Sequence, residues 1–166
     1  MITVLCALSL ITGVQAQEEI TLKKRKTTFG LRGGIGQTLG DGGIGETYYV
    51  GLWGNYKLSE RWSLQTEFNR SVTNNRRFLE IPVFAKYEIS QKWFAMLGAK
   101  TEFLQKIPSE TYQNGLSQIG LEAGIQFKPA DWYYVEARYS LPSKDYQINN
   151  QKVQRNVFTL GVGFRF

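Results

Sequence analysis

The sequence predicts an all-β fold: an eight-stranded antiparallel up-and-down transmembrane β-barrel preceded by a signal peptide. Three observations predict it. Apolar and polar residues alternate with period two from Thr28 to the end of the chain. Turn signals cut that stretch into eight segments of about ten residues, the length a tilted strand needs to cross a bilayer. Aromatic residues recur near both ends of the apolar face, as they do at the two interfaces of a membrane barrel.

The chain has 166 residues, 42% of them apolar and 14% aromatic, which suits one folded domain. Residues 1–16 hold an apolar run that ends in Val14-Gln15-Ala16, a small-residue pattern fit for signal-peptidase cleavage before Gln17. Residues 17–27 read as a basic periplasmic linker carrying Lys23-Lys24-Arg25-Lys26, and residues 28–166 as the barrel domain. Beyond residue 16 no stretch reaches the roughly 20 apolar residues of a spanning helix, so a membrane crossing requires a closed barrel, which pairs every backbone N–H and C=O in lipid.

Cys6 is the one cysteine and lies in the leader, and the chain has no histidine. The mature chain therefore lacks thiol chemistry and the side chain most used for general base work and zinc binding near neutral pH. No catalytic, cofactor or metal residues are expected, and the sequence reads as non-enzymatic. The net charge of +6 is dispersed apart from the linker, and an exported chain has no nucleic acid to meet.

The segments are expected near 28–38, 46–57, 62–71, 78–88, 92–103, 116–128, 132–141 and 155–166. Leu58-Ser59-Glu60-Arg61, Ile89-Ser90-Gln91 and Pro129-Ala130-Asp131 read as tight periplasmic turns. The links at Gly42-Gly43, from Val72 to Arg77, from Leu104 to Gly115 and from Pro142 to Gln154 read as longer outer loops, the asymmetry membrane barrels show. Pro82, in mid-segment, removes a ladder donor and predicts a bulge.

Alternation alone does not say whether the apolar face meets a core or lipid, and a soluble lipid-binding barrel is the structural alternative. The aromatics favour lipid. Phe29, Tyr56, Trp62, Tyr87, Trp93, Phe127, Tyr133 and Phe164 form one girdle beside the tight turns. Tyr48, Phe68, Phe103, Tyr139 and Phe158 form a second, about 15–25 Å away, close to the height of an apolar membrane band.

The opposite face then lines the lumen with Arg32, Lys57, Glu67, Glu80, Lys86, Glu88, Lys100, Glu102, Glu122, Lys128, Glu136, Arg138 and Arg165. Such charges are tolerable only as a network of pairs. Register from the third tight turn sets Lys128 opposite Trp132 and so Glu122 opposite Arg138, and a cluster of Glu67, Glu80 and Lys100 is expected beside that pair. An eight-stranded barrel is just wide enough for its side chains to fill.

The run Phe78-Leu79-Glu80-Ile81-Pro82-Val83-Phe84-Ala85-Lys86-Tyr87 resembles a segment of the outer-membrane β-barrel family labelled PorT-like or porin family. Phe158, Leu160, Val162, Phe164 and Phe166, alternating to a terminal phenylalanine, resemble the signal read by the barrel-assembly machinery. The resemblance covers about residues 28–166, implies an outer-membrane barrel with a proline at position 82, and implies no single activity. The expected role is structural or surface-interacting, in a monomer embedded in the outer membrane. A basic loop of Arg70, Arg76 and Arg77 suits lipopolysaccharide phosphates or an acidic surface partner. A narrow porin-like channel is the functional alternative.

Overall fold

A computed structural model describes residues 26–39, 45–73, 75–105, 117–144, 146–148, 151–153 and 155–166. The expected signal peptide, the linker up to residue 25, and most of the Gly42-Gly43 and Leu104-to-Gly115 loops lie outside the described residues. The barrel strands are β1 (Thr27–Leu39), β2 (Gly45–Lys57), β3 (Trp62–Thr73), β4 (Arg76–Glu88), β5 (Trp93–Leu104), β6 (Ser117–Ala130), β7 (Tyr133–Pro142) and β10 (Asn156–Arg165). A short hairpin of β8 (Tyr146–Ile148) and β9 (Gln151–Val153) stands in the link between β7 and β10, where the sequence predicted only loop.

The eight long strands close into one antiparallel barrel, each bonded to its sequence neighbours, with β10 sealing against β1. Gly30 pairs with Arg165 and Leu39 with Asn156 along that seam. Closure matters physically because it leaves no row of unpaired backbone groups facing lipid. The Phe166 N–H donates to the Phe29 carbonyl at 3.0 Å, so the last residue is tied to the first strand. Both barrel termini and the turns at 58–61, 89–92 and 131–132 share one end, here the turn end; the opposite end is the loop end.

Three expectations are corrected. The link from Val72 to Arg77 is no long loop: Thr73 pairs with Arg76, so β3 and β4 meet in a two-residue hairpin, and Asn75 takes a φ of 63°. Asparagine tolerates that left-handed conformation, which two-residue hairpin turns demand. Pro82 causes no bulge. Thr66 pairs with Val83 and Asn69 with Glu80 at the same offset, so the β3–β4 ladder loses pairings opposite Pro82 without slipping. The register shift falls instead at another strand proline, Pro129, between the Phe127–Val135 and Ala130–Tyr133 pairs. β6 therefore runs through Pro129-Ala130, which the sequence assigned to a turn.

Side chains alternate across the wall as the pleat requires. Outward-facing Leu52, Leu97 and Leu121 are exposed, the last by 62%. Exposed apolar side chains circle the barrel, far more than the few hundred Å² of contiguous apolar surface that soluble monomers carry. This distribution answers the soluble alternative: the apolar face points out and the polar face in. Inward glycines make room for large side chains in the narrow interior. A Cβ on Gly161 would overlap the Tyr49 hydroxyl, and one on Gly163 the Tyr134 ring.

Candidate functional site

The interior is crossed by two layers of ion pairs. The inner layer joins Arg32 on β1, Glu67 on β3, and Glu136 and Arg138 on β7. Arg32 pairs with both Glu67 and Glu136. Arg138 reaches Glu67 at 2.6 Å and Glu136 at 2.7 Å. Gln65 and Asn69 donate to Glu67 at 2.6 and 3.0 Å, while Gln126 donates to Glu136 at 2.9 Å. The Arg138 guanidinium lies over the Phe84 ring at 4.6 Å, a contact that suits a weakly hydrated planar cation.

The outer layer lies toward the loop end. Lys100 on β5 approaches Glu102 at 2.7 Å and Glu80 at 3.8 Å. Arg155, just before β10, reaches Glu102 at 2.6 Å and Glu80 at 2.9 Å and lies 4.0 Å over Phe78. Ser71 donates to Glu80 at 2.5 Å. Glu122 on β6 joins the layers, at 3.3 Å from Arg138 and 3.4 Å from Lys100. The cavity among Arg32, Glu80, Lys100, Glu122 and Arg155 measures about 20 Å³, room for about one water.

The expected lumenal residues thus fall unevenly. Glu122 and Arg138 do meet, but not as register partners: Glu122 sits opposite Ser140 and Arg138 opposite Gly124. The long arginine side chain spans the offset that the β6 bulge introduces. Glu67 does not cluster with Glu80 and Lys100; it belongs to the inner layer with Arg32 and Arg138. Arg155 was not among the expected lumenal residues, although it shares the parity of the inward positions of β10.

Between the inner layer and the turn end lies a mouth cavity of about 350 Å³, walled by Trp53, Lys86, Phe94 and Tyr134. Lys86 donates to Gln65 at 3.3 Å and lies 4.7 Å over Phe94, with no carboxylate within ion-pair range among the described residues. At the rim Lys128 donates to Asp131 at 2.7 Å, and that hydrogen bond holds the exposed Asp131 carboxyl below its ordinary value. Among the described residues no group of three or more His, Cys, Asp or Glu is placed to hold a metal.

With this geometry in place, the match of the chain over residues 3–166 to the family described as "outer membrane protein beta-barrel domain" decides its kind. The chain belongs to that family. The outer-membrane barrel shares its fold with the N-terminal β-barrel domain of Pseudomonas aeruginosa OprF, at 14% identity and a TM-score of 0.57, over 85% of this chain and 98% of that one. Neisserial surface protein A is similar at 15% identity and a TM-score of 0.56, over 85% and 97% of the two chains. A designed transmembrane β-barrel gives 14% identity and a TM-score of 0.57, over 84% and 95%. No curated protein matches the sequence.

On the outside of the outer-membrane barrel, the residues expected as a turn-end girdle all lie on the outward face. Phe29, Tyr56, Trp62, Trp93 and Phe164 are exposed, and Tyr87, Phe127 and Tyr133 half-buried among neighbours. Trp62 packs 4.9 Å from Tyr87 and Trp93 4.7 Å from Phe127. Trp132, expected to open a strand but placed in the turn before β7, links Tyr133 and Phe164 into the same ring. Phe158, Leu160, Phe164 and Phe166 are exposed on β10 and at its end, with Val162 half-buried on the same face.

The expected basic loop is not a loop. Arg70 lies in β3, and Arg76 and Arg77 lie in β4. Arg70 and Arg77 are exposed on the outward face. Arg76 shares the inward parity of Phe78 and Glu80, and its Nε is buried. Three neighbouring arginines thus divide between two sides of the wall.

Proposed function

We propose that this outer-membrane barrel is a closed anchor with a structural or surface-interaction role, presenting its loop end at the cell surface and conducting no solute. It acts without catalysis, as a monomer. Export uses residues 1–16, and insertion by the barrel-assembly machinery uses the outward face of the closing strand from Phe158 to Phe166. The resemblance of the Phe78-to-Tyr87 run supports a PorT-like small barrel, and lipopolysaccharide is the surface partner that its arginines suit.

The observation that carries this reading is the double layer of ion pairs across the lumen. Side chains such as Arg138, 2% exposed, and Glu67, 3% exposed, fill the cross-section. A conducting path would need hydrated charges and room for ions, and the space between the layers is about 20 Å³. The mouth cavity is lined by turn-end residues such as Lys57, Arg61 and Asp131.

Because the chain beyond Cys6 has no cysteine, single cysteines test the placement directly. Lys144→Cys marks the loop end and Ser59→Cys the turn end. In intact cells a membrane-impermeant maleimide is expected to label Lys144→Cys, and to reach Ser59→Cys only after lysis. Labelling of Ser59→Cys in intact cells, or recovery of the protein in a soluble fraction, overturns the reading.

A further inference from the structure

We infer that Arg70 and Arg77 form a lipid-phosphate site on the outer wall of the barrel, filled by the phosphorylated headgroup of a glycolipid such as lipopolysaccharide. The two arginines are diagonal neighbours across the β3–β4 ladder: Arg70 pairs with Leu79, and Val72 with Arg77. Outward parity and exposure set both side chains on the membrane-facing surface, at the loop end of the strands. They border a cleft of about 300 Å³ whose floor includes Leu79 and Phe103.

Neither arginine has a carboxylate within ion-pair range among the described residues, whereas the inward Arg32, Arg138 and Arg155 each have two or more. A guanidinium at the edge of a bilayer without a protein counter-charge calls for an anion from the membrane. Arginine matches phosphate oxygens through two parallel N–H bonds, and two guanidiniums side by side match a headgroup with more than one negative charge. The aromatic belt residue Phe103 stands at the interface below them, so acyl chains pass over an apolar floor while the headgroup meets the cations.

Division of the arginine trio between the wall's two sides gives this site its own control. Arg76 carries the same charge on the same hairpin but faces inward, so it shares the loop's electrostatic potential without reaching the lipid. The site rests on the loop end facing the leaflet that holds the glycolipid, the placement that the cysteine labelling tests separately.

The test uses full-length mature protein in detergent micelles, where binding is independent of orientation in a cell. Purified rough lipopolysaccharide is titrated and the amount retained through gel filtration is measured for the wild type, Arg70→Gln/Arg77→Gln and Arg76→Gln. Circular dichroism verifies that each is folded. Retention is expected to fall about tenfold in the double variant and to stay at the wild-type level in Arg76→Gln. Equal retention by the double variant, or an equal loss in Arg76→Gln, overturns the site. Displacement by inorganic phosphate at millimolar concentration, or equal retention of phosphatidylglycerol, also overturns it, because the cations would then be reading free anion or bulk lipid charge. If retention behaves as expected but the labelling places the loop end inside, the two arginines bind lipid phosphate as inferred but the glycolipid as their occupant in the cell is overturned together with the placement.

Discussion

At the scale of single residues, the lumen is governed by volume as much as by charge. Tyr49 lies under the Arg32 guanidinium at 4.6 Å, donates to Glu136 at 3.3 Å, and fits only because Gly161 opposite it has no side chain. Gly161→Ala is therefore expected to cost about 1–3 kcal/mol, the usual penalty for overpacking a filled interior. Adding Tyr49→Phe removes the colliding oxygen and should recover most of that loss, minus one modest hydrogen bond. Denaturant midpoints in lipid vesicles check this, and a double variant no more stable than the single one would refute the steric account. The sequence showed the parity of Tyr49, but not that glycine and tyrosine occupy the same height across the seam. The same limit explains the charges. Parity assigned Glu67, Glu80, Lys100, Glu122 and Arg138 to one face, while the pairings depend on height and on which walls curve to face each other. Glu67 meets Arg138 across 71 positions of sequence because closure brings β3 and β7 into reach.

At the scale of elements, the strands were legible because period-two alternation and turn residues agree along nearly the whole chain. All eight expected segments start within two residues of the observed barrel strands, seven of them within one, as β5 does at Trp93, while β4 starts two residues early at Arg76. What alternation cannot carry is irregularity. Three prolines sit in strands, one of them Pro142 at the very end of β7, and the other two act oppositely: Pro129 accompanies a register shift near the end of β6, while Pro82 only interrupts pairing in the middle of β4. Near an end, the strand can absorb an extra residue before the turn. In the middle, a slip would turn every following side chain to the wrong face, so the barrel gives up ladder bonds instead. Pro82→Ala is accordingly expected to leave the register unchanged. The restored N–H adds about 0.5–1.5 kcal/mol, and the looser unfolded chain removes about 0.4–1 kcal/mol. The net change should stay under about 1 kcal/mol, measured by urea unfolding, with the Glu80–Lys100 and Glu67–Arg138 contacts retained. A shift larger than that, or a loss of those contacts, would show that the proline itself sets the register.

At the scale of the whole molecule, the two ion-pair layers act in series along the barrel axis. Four cations, Arg32, Lys100, Arg138 and Arg155, meet five carboxylates, Glu67, Glu80, Glu102, Glu122 and Glu136, in these layers. Lys86, half-buried just below them, donates to Gln65 rather than to a carboxylate. Removing one partner of such a pair strands a buried charge at about 3–5 kcal/mol, so a fair test of sealing removes charges two at a time. Arg138→Ser/Glu136→Ser opens the inner layer, and Arg155→Ser/Glu80→Ser opens the outer one. If the layers seal independently, neither paired variant shows conductance steps in a planar bilayer, and the fourfold variant does. Steps from either pair alone would mean that one layer is the whole barrier and the other only braces the wall. A silent fourfold variant that remains folded would assign the seal to the aromatic and glutamine side chains between the charges, Phe84, Gln65 and Gln126, which are fully buried at the same depth as the inner layer.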